Sequence, residues 1–421
     1  MTKTRLAAAV TLAATVALTG MAAEDALVRR ARTGDAESQL RLADEFMFGR
    51  NGRPVSPPLA VYWFRQAAQG GSPVGQYNLA MCYLQGWGGE KRPAAAFRYF
   101  GKAMDGGVDQ AALRYAEQLH DGVPAASDPE GDFPEVKPDP EGALAVLRRI
   151  APRDREAQLL LARYLFRHAD RHVDELLPLL ERHAAGPDPD PEMLILYAAC
   201  LRSGIGGGGD SQLAVRVLER AAAAGNPEAM AQLAEMLHGG FGVKVDHARG
   251  DELLDRALAL GSSRAMVARG VEYLTGLRRP HDPVRAFELF RQAAQKEYPP
   301  AWRQLGLCYA SGIGTPRSED QAFQCFFHAA RAGDAPAQFQ VGECFRYGRG
   351  TEADFTAAFY WYARGAAGGN SDAMRETGEA LLAGRGTAPD REQAMQWLER
   401  AARAGDRSAA AALGLSDAEP F

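Results

Sequence analysis

The chain has 421 residues, 46% of them hydrophobic and 24% charged, with 48 Lys+Arg against 53 Asp+Glu, a net charge of -5 and a pI near 6.0. A length of this order usually means about two or three domains unless the chain grows by repetition. The slightly acidic balance supplies no basic stripe of the kind that nucleic-acid binding requires, so nucleic acid is not an expected partner.

At the N-terminus, Lys3 and Arg5 precede an apolar run from Leu6 to Leu18, followed by the small residues Gly20, Ala22 and Ala23 and the acidic pair Glu24-Asp25. A run of about 13 residues has the length of a signal-peptide core and is too short to span a bilayer. Residues 1–23 are therefore expected to be a secretory signal cleaved near Ala22 or Ala23. The mature chain would then be periplasmic or secreted, with no membrane span. If Met21 is instead the true start, the protein is cytoplasmic. No Cys follows the run, so a lipoprotein anchor is not expected. Residues 24–34, ending Arg32-Thr33-Gly34, read as a helix capping what comes next.

Residues 35–405 repeat. Stepping 36 residues at a time gives Asp174, Asp210, Asp246, Asp282, Ser318, Asp354 and Asp390, all good helix N-caps. Four positions later stand Pro178, Ala214, Gly250, Ala286, Ala322, Ala358 and Ala394, mostly small enough to let two helices approach closely. A first-helix column opens at Ser38, Gly75, Ala111, Ala157, Met193, Ala229, Ala265, Ala301, Ala337 and Ala373, which makes ten units, with a half unit at Ala409. Small residues five positions on (Ala234, Gly270, Gly306, Gly342, Gly378) and Leu or aromatic residues eight positions on fall on one helical stripe, which must pack. Glycine pairs such as Gly312-Ile313-Gly314 read as the interhelical turn, because glycine tolerates the left-handed backbone that ends a helix. The spacing of unit openings is 37, 36, 46 and then 36 throughout, so one insertion of ten residues falls in the third unit. It maps to 125–140, rich in Asp, Glu and Pro, and is expected to be a solvated loop. Residues 406–421 form the half repeat and tail. A fixed period near 36 predicts an all-α fold: a right-handed α/α superhelical solenoid of about ten helix-turn-helix repeats, in one monomer.

The pattern Ala-x-x-x-Leu-Gly-x-x-Tyr-x-x-Gly-x-Gly, carried in unit eight by Ala301, Leu305, Gly306, Tyr309, Gly312 and Gly314, is followed there by Ala322, Ala329, Ala330 and Gly333. It resembles the Sel1-like repeat, a longer-turn relative of the tetratricopeptide repeat. The likeness runs over roughly residues 35 to 405. It departs most in unit four, where His168 and Asp170 replace the turn glycines, and in unit seven, where Arg278 replaces one. The resemblance implies a non-catalytic protein-protein interaction scaffold or adaptor, in envelope assembly or signalling, that binds a protein or peptide. It implies as an alternative a secreted enzyme of the penicillin-binding or weak β-lactamase type, although no Ser-x-x-Lys motif is present.

Single residues that could carry chemistry mostly have a place in the repeat. Cys82, Cys200, Cys308 and Cys344 share one first-helix position and Cys325 takes the slot that Trp361 and Trp397 fill, so they read as packing residues. A single pair, Cys308 with Cys325 or with Cys344, stays open. His168 and His172 stand four apart and could share a metal on a helix, but the register puts His168 on a turn and makes Asp174 an N-cap. Gly206–Gly209 sits on an interhelical turn with no strand before it, which argues against a phosphate loop. No catalytic residue, cofactor or metal is expected. The remaining variable positions, first-helix offsets 3, 6 and 10, should line the concave face by analogy with tetratricopeptide proteins. They read Asn78, Met81 and Gln85; Arg163 and Arg167; Gln304 and Leu307; Gln340, Glu343 and Tyr347; Glu376 and Glu379. The expected partner surface thus has a basic centre and an acidic C-terminal end.

Overall fold

The computed structural model describes residues 26–123 and 135–413, so the expected signal at 1–23 and much of the insertion lie outside the described residues. Among the described residues there are 22 helices, from Ala26–Arg32 to Arg407–Ala412, and the only β feature is an isolated bridge. They fall into two compact units, one up to Leu180 and one from Glu181. In each, consecutive helices pack as helix-turn-helix pairs, the solenoid arrangement that the period predicts.

Every complete first helix is 13 residues long, and it starts two residues before the column that marks its unit; Ala301, for example, lies in Pro299–Ser311. The N-terminus is set by a second capping column three residues before that mark. Asp35, Ser72, Asp154, Asp190, Asn226, Ser262, Asp334, Asn370 and Asp406 each accept a hydrogen bond from a backbone N–H of the first turn. The second helices are capped as expected by Asp210, Asp246, Asp282, Ser318, Asp354 and Asp390. A lost side-chain cap costs about 1 kcal/mol. Asp246→Ala should therefore lower stability by about that amount, while Asp246→Asn should be nearly silent; thermal melts of the two variants check this.

Large apolar side chains fill the gap between paired helices. Leu42, Trp63, Leu79, Phe100, Leu144, Leu147, Leu165 and Leu176 do so in the first unit, and Met193, Leu218, Leu233, Phe290, Phe326 and Leu398 in the second. A glutamine next to the unit mark ties neighbouring repeats: Gln39 donates to the Ala31 carbonyl at 2.9 Å and Gln338 to that of Ala330 at 3.0 Å. The turn glycines have the expected left-handed backbone, as at Gly312 (φ 69°) and Gly314 (φ 68°), and a Cβ on Gly314 would meet the Pro283 carbonyl oxygen at 2.2 Å. Arg278 adopts the same sign (φ 43°) without being glycine, so unit seven keeps the turn at a cost in strain.

Two expectations need correction. The insertion does not extend to 140, because Asp139 caps a helix that begins at Pro140, a residue preset for the first helical position. Its base is closed by paired hydrogen bonds between Val123 and Val136, at 2.7 and 2.8 Å. Asp174 is not an N-cap. Without turn glycines, Ala169–Ala185 runs as one helix broken only at His172 (φ -123°, ψ 18°), so Asp174 lies inside the helical run that resumes after the kink.

Candidate functional site

The expected partner-binding residues fall into both units. In the first, Asn78 and Met81 are half-buried while Gln85, Arg163 and Arg167 are exposed. Arg167 stacks over Tyr164, with its Nη1 3.8 Å from Asp121. In the second, Gln304 and Gln340 are half-buried, and Leu307 and Tyr347 are 37% and 52% exposed. Glu376 departs from expectation: it is 7% exposed and spends its carboxylate on Arg346 and Arg375. Glu343 accepts from Tyr362 Oη at 2.6 Å, and Glu379 lies 3.2 Å from Arg375 and 3.6 Å from Arg385. The acidic C-terminal end is thus neutralised within the repeat stack.

A different surface is better formed. Successive first helices Pro227–Gly239, Ser263–Thr275 and Pro299–Ser311 lie side by side and enclose a groove of about 480 Å³. Val267, Ala268, Val271 and Leu277 form its apolar part, with Val271 37% and Leu277 65% exposed, and Tyr298 and Pro300 close one side. Val271 and Thr275 occupy offsets 6 and 10 of unit seven, the face named from the register, although the residues expected there came from units two, four, eight, nine and ten.

Charge at the rim is paired. Burial works against the charge on Arg264, yet Glu228 and Glu235 outweigh it and hold its pKa above the usual arginine value. Arg278 reaches Glu272 at 2.7 Å and Arg303 reaches Asp334 at 3.0 Å. Burial pushes the Tyr298 hydroxyl above its ordinary value.

Beneath the groove lies a buried charged cluster that sequence reasoning missed. Arg269 and Glu272, each with a side chain 4% exposed, pair at 3.1 Å. Arg269 also reaches Asp255 at 2.5 Å, and the His238 ring sits 3.5 Å from Asp251. Burial, with Arg278 nearby, lowers the pKa of His238. The ring has room because the small column carries Gly250 here, where a Cβ would come within 2.5 Å of it. The sequence did carry a signal: Arg269 stands where neighbouring units have Leu233 and Leu305.

The histidines of unit four do not meet. His172 turns to Glu141 at 3.0 Å, while His168 meets His120, with Nε2 atoms 3.3 Å apart. All five cysteines are free and buried, and burial pushes the Cys82 thiol up to about 12 and the Cys308, Cys325 and Cys344 thiols to about 11. Thiols held protonated are poor nucleophiles.

The sequence model of the Sel1 repeat matches residues 36–72, 73–108, 191–226, 227–262, 263–298, 300–334, 335–370 and 371–406. The unmatched stretch between them holds the insertion and the kinked helix. No curated protein matches the chain. Among solved structures, it is 25% identical to a protective antigen with an SLR fold from uropathogenic Escherichia coli, over 93% of this chain and 83% of that one, with a TM-score of 0.49. A Sel1 repeat protein from Oxalobacter formigenes is 27% identical over 58% of this chain and 99% of its own, with a TM-score of 0.46. An immunity protein from Pseudomonas aeruginosa is 18% identical over 53% and 86%, with a TM-score of 0.41. With eight repeats matched over more than half of its length, the chain belongs to the Sel1 repeat family.

Proposed function

We propose that this protein is a scaffold that holds a protein segment in the groove between the first helices of units six to eight. Sel1 repeat proteins typically are protein-interaction scaffolds. The observation that carries the reading is the groove's composition: exposed Val271 and Leu277 sit between charges already paired with one another. An apolar anchor from a partner would dehydrate these side chains without stripping a lone charge of water, which is the favourable design for an interface centre. The segment would be helical or extended, with one or two large apolar side chains and polar flanks. The apolar run Leu6–Leu18 supports a periplasmic or secreted setting for this work, in envelope assembly or signalling. The enzyme alternative draws no support from the buried, protonated cysteines.

Peptide-display selection against the purified protein tests the reading. Selected peptides should lose about tenfold or more in affinity, equivalent to about 1.4 kcal/mol, on Val271→Asp or Leu277→Asp. Both positions are open enough that the melting temperature should move by no more than a few degrees. Peptides that bind the two variants as well as the native chain, but lose Arg163→Glu or Arg167→Glu, would place binding elsewhere.

A further inference from the structure

We propose that His120 and His168 form a binding site for a divalent transition-metal ion of the zinc type. His120 lies in the last turn of the first helix of unit three, is 7% exposed, and stacks on Tyr164 with ring centroids 4.0 Å apart. His168 caps the first helix of unit four and is partly buried. Their Nε2 atoms are 3.3 Å apart. Two nitrogens bound to one tetrahedral ion at about 2.0–2.1 Å each stand about 3.3–3.4 Å from one another, so the pair already spans one edge of the coordination polyhedron.

A second observation concerns orientation. Nδ1 of His120 lies 2.7 Å from Asp121 Oδ1, so this carboxylate accepts the Nδ1 proton and leaves the Nε2 lone pair facing His168. A carboxylate behind a histidine in this way fixes the tautomer and ring of a metal ligand and raises its basicity. The Arg167 guanidinium acts on His168, and Asp121, 3.8 Å from that guanidinium, offsets its charge. Burial, reinforced by His120, lowers the pKa of His168 from its ordinary value. With His120 held in the Nδ1–H tautomer, the contact needs the His168 Nε2–H as donor; binding an ion then needs this proton to move to Nδ1 and the two rings to tilt so that both lone pairs converge on the metal rather than on each other. Water would complete the shell.

His238, Asp251 and Glu272 also bring donor atoms within 4.8 Å of one another. There the cations are already present. Arg269 Nη1 is 3.1 Å from Glu272 and 3.8 Å from Asp251, and Arg278 is 2.7 Å from Glu272. An ion would add two positive charges beside Arg269 and Arg278, so this cluster serves as the internal control.

The untagged, chelator-stripped chain should be titrated with Zn(II) against a chromophoric competitor, and with Co(II) for the visible bands of a low-symmetry site. One equivalent should bind. His120→Ala and His168→Gln should each abolish saturable binding, and Asp121→Asn should weaken it by about tenfold or more. His172→Ala and His238→Ala should leave it intact. Circular dichroism of each variant separates lost ligation from lost fold, and His168→Gln, at a partly exposed cap, is the variant on which the result rests. No saturable binding by the native chain, or binding that survives His168→Gln, overturns the site.

Discussion

Replacing Arg269 by methionine is expected to destabilise the protein by about 3–5 kcal/mol, the cost of removing one partner from a buried ion pair. The variant strands Glu272, 4% exposed, with Arg278 as its remaining cation, and leaves Asp251 beside the His238 ring. A surface pair behaves differently. Arg291 and Glu288 approach to 2.7 Å, but their side chains are 53% and 44% exposed, so Arg291→Met should cost less than about 1 kcal/mol. The repeat itself supplies a rescue. Unit six has Leu233 and Met236 at the positions of Arg269 and Glu272. The double change Arg269→Leu, Glu272→Met removes both buried charges and fills the column with side chains its neighbour already uses, and it should recover much of the loss. Denaturant melts of the three variants check the argument. If Arg269→Met melts with the native protein, the cluster is hydrated and the account of its energy is wrong.

The period of 36 made the later second helices legible because Asp, with Ser at 318, stands in fixed phase at their N-termini, and six of these positions, Asp210 to Asp390, make the cap bond. The caps of the first helices were harder to see because Asp, Ser and Asn share that column, while Val108 and Tyr298 interrupt it. The alanine column drew the eye instead, although alanine there is the third residue of the helix and fully buried. The groove was half legible. Offsets 6 and 10 point at it, but which units contribute depends on side chains from three repeats meeting in space, which a per-unit reading does not see. Glu376 shows the consequence, since its charge is spent on Arg346 of the preceding repeat and on Arg375. The meeting of His120 and His168 lay beyond the period altogether. Unit three carries the insertion and unit four has no glycine turn, so the two histidines hold different register positions and only the folded chain brings them together.

Gly306→Ala separates two forces by the sign of its effect. Gly306 lies inside Pro299–Ser311 and its backbone is helical, so on helix propensity alone alanine should stabilise by about 0.8–1.0 kcal/mol. Packing says the opposite. A Cβ there would lie 2.5 Å from Cδ1 and Cε1 of Phe326, a side chain 3% exposed that cannot swing into solvent. Forcing atoms into a filled gap typically costs about 1–3 kcal/mol, so the expected net result is destabilisation, and Gly306→Leu should be worse. Related positions repeat the contact: a Cβ on Gly270 would meet Phe290 at 2.4 Å, and one on Gly342 would meet Tyr362 at 2.4 Å. Where unit five and unit six carry alanine, at Ala198 and Ala234, the second helix carries Leu218 and Leu254 in place of a ring. The first unit does set Ala43 and Ala80 in register with Phe64 and Phe100, so alanine is compatible with a ring in those two pairs. The penalty in unit eight therefore belongs to the position of the Phe326 ring against Gly306 rather than to the residue types alone. Adding Phe326→Leu to Gly306→Ala should restore stability relative to Gly306→Ala alone, since it recreates the Ala–Leu pairing of unit six. Thermal melts decide: a Gly306→Ala variant that melts above the native protein would mean that propensity governs this position and the packing stripe does not.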